Sequence, residues 1–153
     1  MRVIMEREFT NALSNTPLWR FALTVYPHHQ QALLAWQDEA GANVNRLLLF
    51  AYCQRNRCNL AADGFESPAL NRLEELIKRV RLVRKTQRGA ARVSLKSFEL
   101  ELEGLHLQLL DTLAQWPSDG TDRHPPDVVI TRYEVQLGIK KGALAPFIAT
   151  LAN

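Results

Sequence analysis

Residues 17–53, PLWRFALTVYPHHQQALLAWQDEAGANVNRLLLFAYC, decide the fold. Thr16 before Pro17 supplies a helix N-cap and a proline at the first helical position, where its missing N–H is not needed. Leu18, Trp19, Ala22, Leu23 and Tyr26 then form one apolar face. Tyr26-Pro27 predicts the end of that helix, because proline disfavours α geometry in the residue before it. A second helix is expected from Pro27 to Ala40, with Leu33, Trp36 and Ala40 on one side and Gly41 as its C-cap. Asn43 caps a third helix from Val44 to about Arg57, which contains the longest apolar run, Leu47 to Tyr52. A connection this short makes the two helices packed neighbours.

Working towards the C-terminus, residues 59–66 read as a loop, and Ser67-Pro68 opens a fourth helix reaching about Gln87. Leu70, Leu73, Ile77, Val80 and Val83 mark its buried stripe. Arg84 projects within about 20° of Leu73, so a charge in that stripe needs a carboxylate partner or a path to solvent. The segment RGAAR, residues 88–92, reads as a break, with Ser94 capping a fifth helix to about Gln115. Leu95, Phe98, Leu102, Leu105, Leu109 and Leu113 give it a packing seam, and Leu100 and Leu107 a second stripe, which predicts a central helix. Glu99, Glu103 and His106 fall between the two stripes.

Residues 117–127, PSDGTDRHPPD, read as a flexible Pro-rich loop. A sixth helix over Val128–Leu137 follows, with a strand as the alternative because VVITRYEV is the one β-rich run, and a last helix spans Ala143–Ala152. On the N-terminal side, residues 1–16 form a short lead-in with both Met1 and Met5 available as starts. The chain therefore reads as all-α, a compact single-domain bundle of five to seven helices over residues 1–153.

An apolar content of 46% suffices for one core and 23% charged residues is ordinary for a soluble domain. No apolar run approaches the ~18–20 residues of a membrane-spanning helix. Acidic residues in MRVIMEREFTN argue against a signal peptide, so the expected compartment is the cytoplasm. Cys53 and Cys58 read as reduced thiols on different sides of a helix, which disfavours a shared metal or a mutual disulfide.

Four constellations bear on function. Arg84 with Glu99, Glu103 and His106, helped by Arg79 or Arg81, is either an ion pair fixing helix register or a pocket for a polar small molecule. Glu103-x-x-His106 resembles half of a di-iron carboxylate motif, but no second copy exists, so neither metal nor cofactor is expected. From Arg72 to Arg92 there are eight Lys or Arg residues against two Glu, and Lys78, Arg81, Lys85 and Arg88 form a basic flank. Helix-turn-helix outlines at residues 31–52 and 131–151 fail as DNA readers, the first because RLLLFAY is a core helix and the second because Gly142 and Pro146 interrupt it. Nucleic acid is thus a disfavoured partner. The fourth is the turn carrying Gln37, Asp38, Glu39 and Asn45, more polar than capping requires and acidic where a helix dipole is negative, which suggests docking of a protein partner. His28 and His29 read as a solvated helix start, and no nucleophile or phosphate-loop motif is present.

Pro17-Leu18-Trp19, Tyr26, Leu34 to Asn45 and the run Arg79 to Lys85 resemble an uncharacterised, small, all-helical proteobacterial family. That family, a domain of unknown function, carries a Leu-Gln-Asp-Glu-x-Gly-x-x-Val-Asn turn, here Trp36-Gln37-Asp38-Glu39-Ala40-Gly41-Ala42-Asn43-Val44-Asn45. The resemblance covers residues 15–115 and implies a helical fold without implying an activity. Taken together, the sequence points to a small cytoplasmic, non-catalytic interaction or regulatory protein using the polar turn and basic flank. Two alternatives stand beside it: a bundle binding a polar small molecule at Arg84, Glu99, Glu103 and His106, as an enzyme or not, and a nucleic-acid-associated protein using the basic flank. The sequence assigns no oligomeric state.

Overall fold

A computed structural model describes residues 16–115 and 126–153. The chain runs α1 (Pro17–Ala40), α2 (Val44–Asn56), β1 (Asn59–Leu60), α3 (Ala62–Phe65), α4 (Pro68–Thr86), α5 (Gly89–Asp111), β2 (Ala114–Gln115), α6 (Pro126–Leu137) and α7 (Ala145–Ala152). It is an all-α fold. Every residue of α2 from Val44 to Cys53 is buried, and a helix with no solvent face must be enclosed by others. α1, α5, α6 and α7 enclose it. Phe50 of α2, Phe65 of α3 and Tyr133 of α6 form an aromatic triangle, with ring centroids 5.1, 5.7 and 5.8 Å apart.

Capping fixes the α1–α2 corner as the residue types require. Thr16 accepts from the Trp19 N–H and Asn43 from the Arg46 N–H. Gly41 adopts the left-handed conformation (φ 72°), and the Gly41 and Ala42 N–H groups return to the carbonyls of Gln37 and Trp36. The α4–α5 pair is an antiparallel hairpin, reversed at Gln87 and Arg88 and held by a small apolar seam of Ile77, Val80 and Leu102 flanked by Leu73 and Leu95. β1 and β2 pair antiparallel, Asn59 with Gln115 and Leu60 with Ala114, joining the chain after α2 to the chain after α5.

The structure corrects several sequence expectations. α1 passes through Pro27 as one 24-residue helix. An interior proline costs about 3 kcal/mol and leaves the Leu23 carbonyl without its N–H partner. Tyr26 and Leu33, fully buried on either side of it, offset that cost, and Pro27 itself faces outward. RGAAR does not break the chain: α5 starts at Gly89, whose φ of 64° makes the reversal, and the alanines that follow are strong helix formers. Ser94 is interior to the helix. α5 ends at Asp111, because the residues beyond pair as β2, and the predicted loop 59–66 contains β1 and the single turn α3. The expected leucine seam of α5 is only partly buried; Phe98, Leu105 and Leu109 are exposed, since α4 covers one edge of that stripe. Residues 128–137 are helical, within α6. The lead-in over 1–15, Trp116 and residues 117–125 of the Pro-rich loop lie outside the described residues, while Pro126 and Asp127 open α6.

Candidate functional site

A continuous chain of charged and polar side chains runs between the α4–α5 hairpin and α2. At its outer end Arg84 Nε donates to Glu99 Oε1 at 2.6 Å. Arg81 bridges the carboxylates, Nε to Glu99 Oε2 at 3.2 Å and Nη2 to Glu103 Oε1 at 2.9 Å. The Asn45 amide donates to Glu103 Oε2 at 2.8 Å and lies 3.0 Å from His106 Nδ1. His106 Nε2 sits 2.8 Å from Glu74 Oε2, which also receives Arg46 Nε at 2.6 Å. Glu99, Glu103, His106, Asn45 and Arg46 are all at most 2% exposed.

Helical spacing produces this array. Glu99, Glu103 and His106 stand three and four apart on the α2-facing side of α5, and Glu74 and Arg81 stand seven apart on α4. Asn45 and Arg46 enter from the first turn of α2, oriented by the Asn43 cap. Three guanidinium groups, Arg46, Arg81 and Arg84, meet three carboxylates, Glu74, Glu99 and Glu103. The Asn45 amide nitrogen orients the imidazole: it lies within hydrogen-bonding distance of both Glu103 and His106 Nδ1, which leaves Nε2 facing Glu74. Turning the amide round would set its oxygen against a carboxylate. The Asn45 Oδ1 itself has no hydrogen-bond partner among the described residues.

The inner end is saturated. Arg46 also donates Nη1 to the Phe65 carbonyl (3.2 Å) and Nη2 to Asn71 Oδ1 (2.9 Å), and its guanidinium lies 4.4 Å from the Phe65 ring centroid. Burial pushes the Glu74 carboxyl up, but the His106 hydrogen bond and charge, with the Arg46 guanidinium, outweigh it and hold Glu74 below its ordinary value. Tyr133 accepts from the Asn43 N–H at 2.8 Å, and burial pushes its hydroxyl up to about 12.

The outer end opens into a cleft of about 360 Å3 between α1 and the hairpin. Tyr26, Gln30, Leu34, Gln37 and Asp38 form the α1 wall, and Arg81, Arg84, Lys85 and Arg92 the other. Glu99 engages Arg84 through Nε alone, and Lys85 and Arg92 make no ion pair with any described residue. Among the described residues Asp38 is the one acidic group lining this space. Arg92 belongs to the first turn of α5, whose N-terminus has no side-chain cap, so the positive end of a 23-residue helix lies beside the basic wall.

The structure thus separates some predicted residues and joins others. Arg84, Glu99, Glu103 and His106 do form one buried cluster. Of the polar turn, Asn45 belongs to that cluster, Gln37 and Asp38 face the basic cleft, and Glu39 lines a different, mainly apolar cleft with Trp36 and Ile139. Of the basic flank, Arg81 is committed to two carboxylates, Lys78 pairs with Glu75 at 3.5 Å on the surface, Lys85 lines the cleft and Arg88 is exposed at the turn. Arg79 takes no part in the cluster. Arg46, Glu74 and Arg92 escaped the sequence reading. Arg46 had a signal, since a guanidinium in a helix apolar all round demands a carboxylate by the same reasoning applied to Arg84. Glu134 was also missed: it is buried, accepts from the N–H groups of Gly142 (2.9 Å) and Leu144 (2.8 Å), and shapes the entry to α7. Pro146 starts α7 instead of interrupting it, and α7 packs on α2.

Among the described residues no helix is long and apolar enough to cross a membrane, and no group of three or more His, Cys, Asp or Glu side chains is arranged to hold a metal ion. No curated protein and no solved structure matches the chain. Residues 17–110, from the first residue of α1 to the penultimate residue of α5, carry the whole array and both walls of the basic cleft; they match the family model described as protein of unknown function DUF2390, and the chain belongs to that family.

Proposed function

We propose that this is a non-catalytic binding protein whose cleft between α1 and the α4–α5 hairpin takes a small anionic ligand. One observation carries the reading: Glu99 and Glu103 neutralise Arg81 and Arg84, yet Lys85, Arg92 and Arg84 line the cleft, opposed among the described residues by Asp38 alone. Each cation has been brought close to the others at an electrostatic cost that an anion would relieve. The Glu99 carboxylate behind Arg84 holds its guanidinium by Nε, which favours a bidentate contact of the remaining nitrogens with phosphate or carboxylate. A volume of about 360 Å3 suits a small molecule better than a nucleic-acid backbone tract. Gln30 and Gln37 add amide donors on the opposite wall, and the ligand would tie α1 to the hairpin, a natural regulatory coupling.

The acidic groups do not support acid–base catalysis. Glu99 and Glu103 are buried behind the arginines, and their oxygens are taken by Arg81, Arg84 and Asn45. Titration calorimetry with inorganic pyrophosphate at low ionic strength tests the proposal. Saturable binding is expected, lost when Lys85 and Arg92 are both changed to Met while the thermal midpoint stays put. Binding that survives the double substitution, or a duplex oligonucleotide that binds where pyrophosphate does not, overturns it.

A further inference from the structure

The hairpin has a second face, pointing away from α2. At about 100° per residue, Leu76 and Val83 of α4 project within about 20° of each other, and Phe98, Leu105 and Leu109 of α5 within about 40°. All five are exposed: 42% and 47% for the first two, 44%, 39% and 41% for the others. On α4 the stripe lies roughly opposite Glu74 and Arg81, and on α5 it lies about 100° round from Glu99, Glu103 and His106, past the α4-facing Leu95 and Leu102, so the two stripes adjoin on the outer side of the hairpin. Isolated exposed leucines are ordinary, whereas two stripes side by side on one hairpin form a patch.

The ion pairs fix the register of this patch. Arg81–Glu99, Arg81–Glu103, Arg84–Glu99 and His106–Glu74 set residues of the two helices level when their numbers sum to between 180 and 184. Leu76 is therefore level with Leu105, Val83 with Phe98, and Arg79 with Glu101. Arg79 and Glu101 flank the stripes on their respective helices and make no ion pair with any described residue.

We propose that this outer face is the contact of a symmetric dimer, occupied by a second copy of this chain. A two-fold axis parallel to the hairpin lays α4 of one protomer over α5 of its partner without changing level. Leu76 then meets the partner's Leu105, Val83 meets the partner's Phe98, and Arg79 meets the partner's Glu101, each contact occurring twice. The four helices form an antiparallel bundle with an apolar centre and a paired rim. Cation and anion standing at one level on opposite edges of an apolar face is the complementarity that this symmetry demands; an unrelated partner would not require it.

Sedimentation equilibrium of the full chain decides the matter. The chain is expected to dimerise reversibly, and Leu105→Glu to make it monomeric with its helical circular dichroism intact. Arg79→Glu should weaken the dimer by more than about tenfold, because two like-charge contacts replace two attractive ones. The exchange Arg79→Glu with Glu101→Arg should restore it, which keeps the test valid should Leu105→Glu fail to fold. A chain that stays monomeric at high micromolar concentration overturns the proposal and leaves the face to a different polypeptide or another segment of this chain. So does a dimer untouched by Leu105→Glu, or a charge exchange that restores nothing.

Discussion

Arg46 and Arg84 are the same side chain set into two helices at positions where the neighbouring surface is apolar, and they are used differently. Arg46 is 1% exposed and its three nitrogens go to Glu74, the Phe65 carbonyl and Asn71. Arg84 keeps 13% of its side chain exposed and gives only Nε to Glu99, leaving its terminal nitrogens towards the cleft. Saturation marks a charge kept for the fold, and residual donor capacity beside other unpaired cations marks one available to a ligand. The two ends of the array can therefore be told apart by what each substitution costs.

The largest loss is expected at the inner end. Arg46→Met should destabilise the protein by about 3 kcal/mol in urea unfolding, because Glu74, half-buried at the inner end, is left without its guanidinium. Changing Glu74 to Met as well should recover much of that loss, since a burial-matched apolar pair removes the stranded charge. A double variant no better than the single one would break the comparison, by showing that Arg46 acts through its aromatic packing.

Acid should expose the same asymmetry. Glu74 is held below its ordinary value in the folded protein, so it binds protons more readily when unfolded. Its contribution to stability is complete above the ordinary carboxylate range near 4.3 and declines as pH falls through the lower folded value. Thermal midpoints measured from neutral pH down to about 3 should fall for the native chain, and Glu74→Gln should flatten that fall. An equal slope in the variant would mean that other carboxylates govern acid unfolding.

Arg84→Met should cost about 1–2 kcal/mol, roughly one hydrogen bond to a charged group, because Arg81 remains on Glu99. It should nevertheless abolish pyrophosphate binding. That pairing of a small stability effect with a complete binding effect is the opposite of the outcome at Arg46.

The sequence was a sure guide where one residue type has one local consequence. Thr16, Asn43, Ser67 and Gly41 named the helix ends because capping needs only a side-chain oxygen or a left-handed backbone. Arg84 called for a carboxylate partner or a path to solvent because its angular position follows from counting, and it has both, Glu99 and a partly exposed side chain. The sequence misled where distant packing chose between two local options. Pro27 stops a helix unless residues on both sides of it are buried in the same core, as Tyr26 and Leu33 are. Gly89 and its alanines were a break or a helix start, and only the antiparallel return of α5 selects the latter. The cleft was out of reach for a related reason: Gln37 and Asp38 are some fifty residues from Lys85 and Arg92, and nothing short of the α1–α5 packing brings them to one space.

The smallest predicted effect is the most discriminating. Lys85→Met and Arg92→Met should each leave stability within about 0.5 kcal/mol of the native value, as expected of side chains without a described partner. Removing either could even stabilise slightly, because each relieves repulsion among the cations around the cleft. The same substitutions should weaken pyrophosphate binding in calorimetry, and should reduce its dependence on salt, since fewer charges are then neutralised on binding. A fold-supporting residue cannot behave in this way: stability and binding would decline together, as they should for Arg46→Met. Lys85 and Arg92 variants that lose stability and affinity in step would place both ends of the array in the service of the fold, and the distinction between Arg46 and Arg84 would become one of degree.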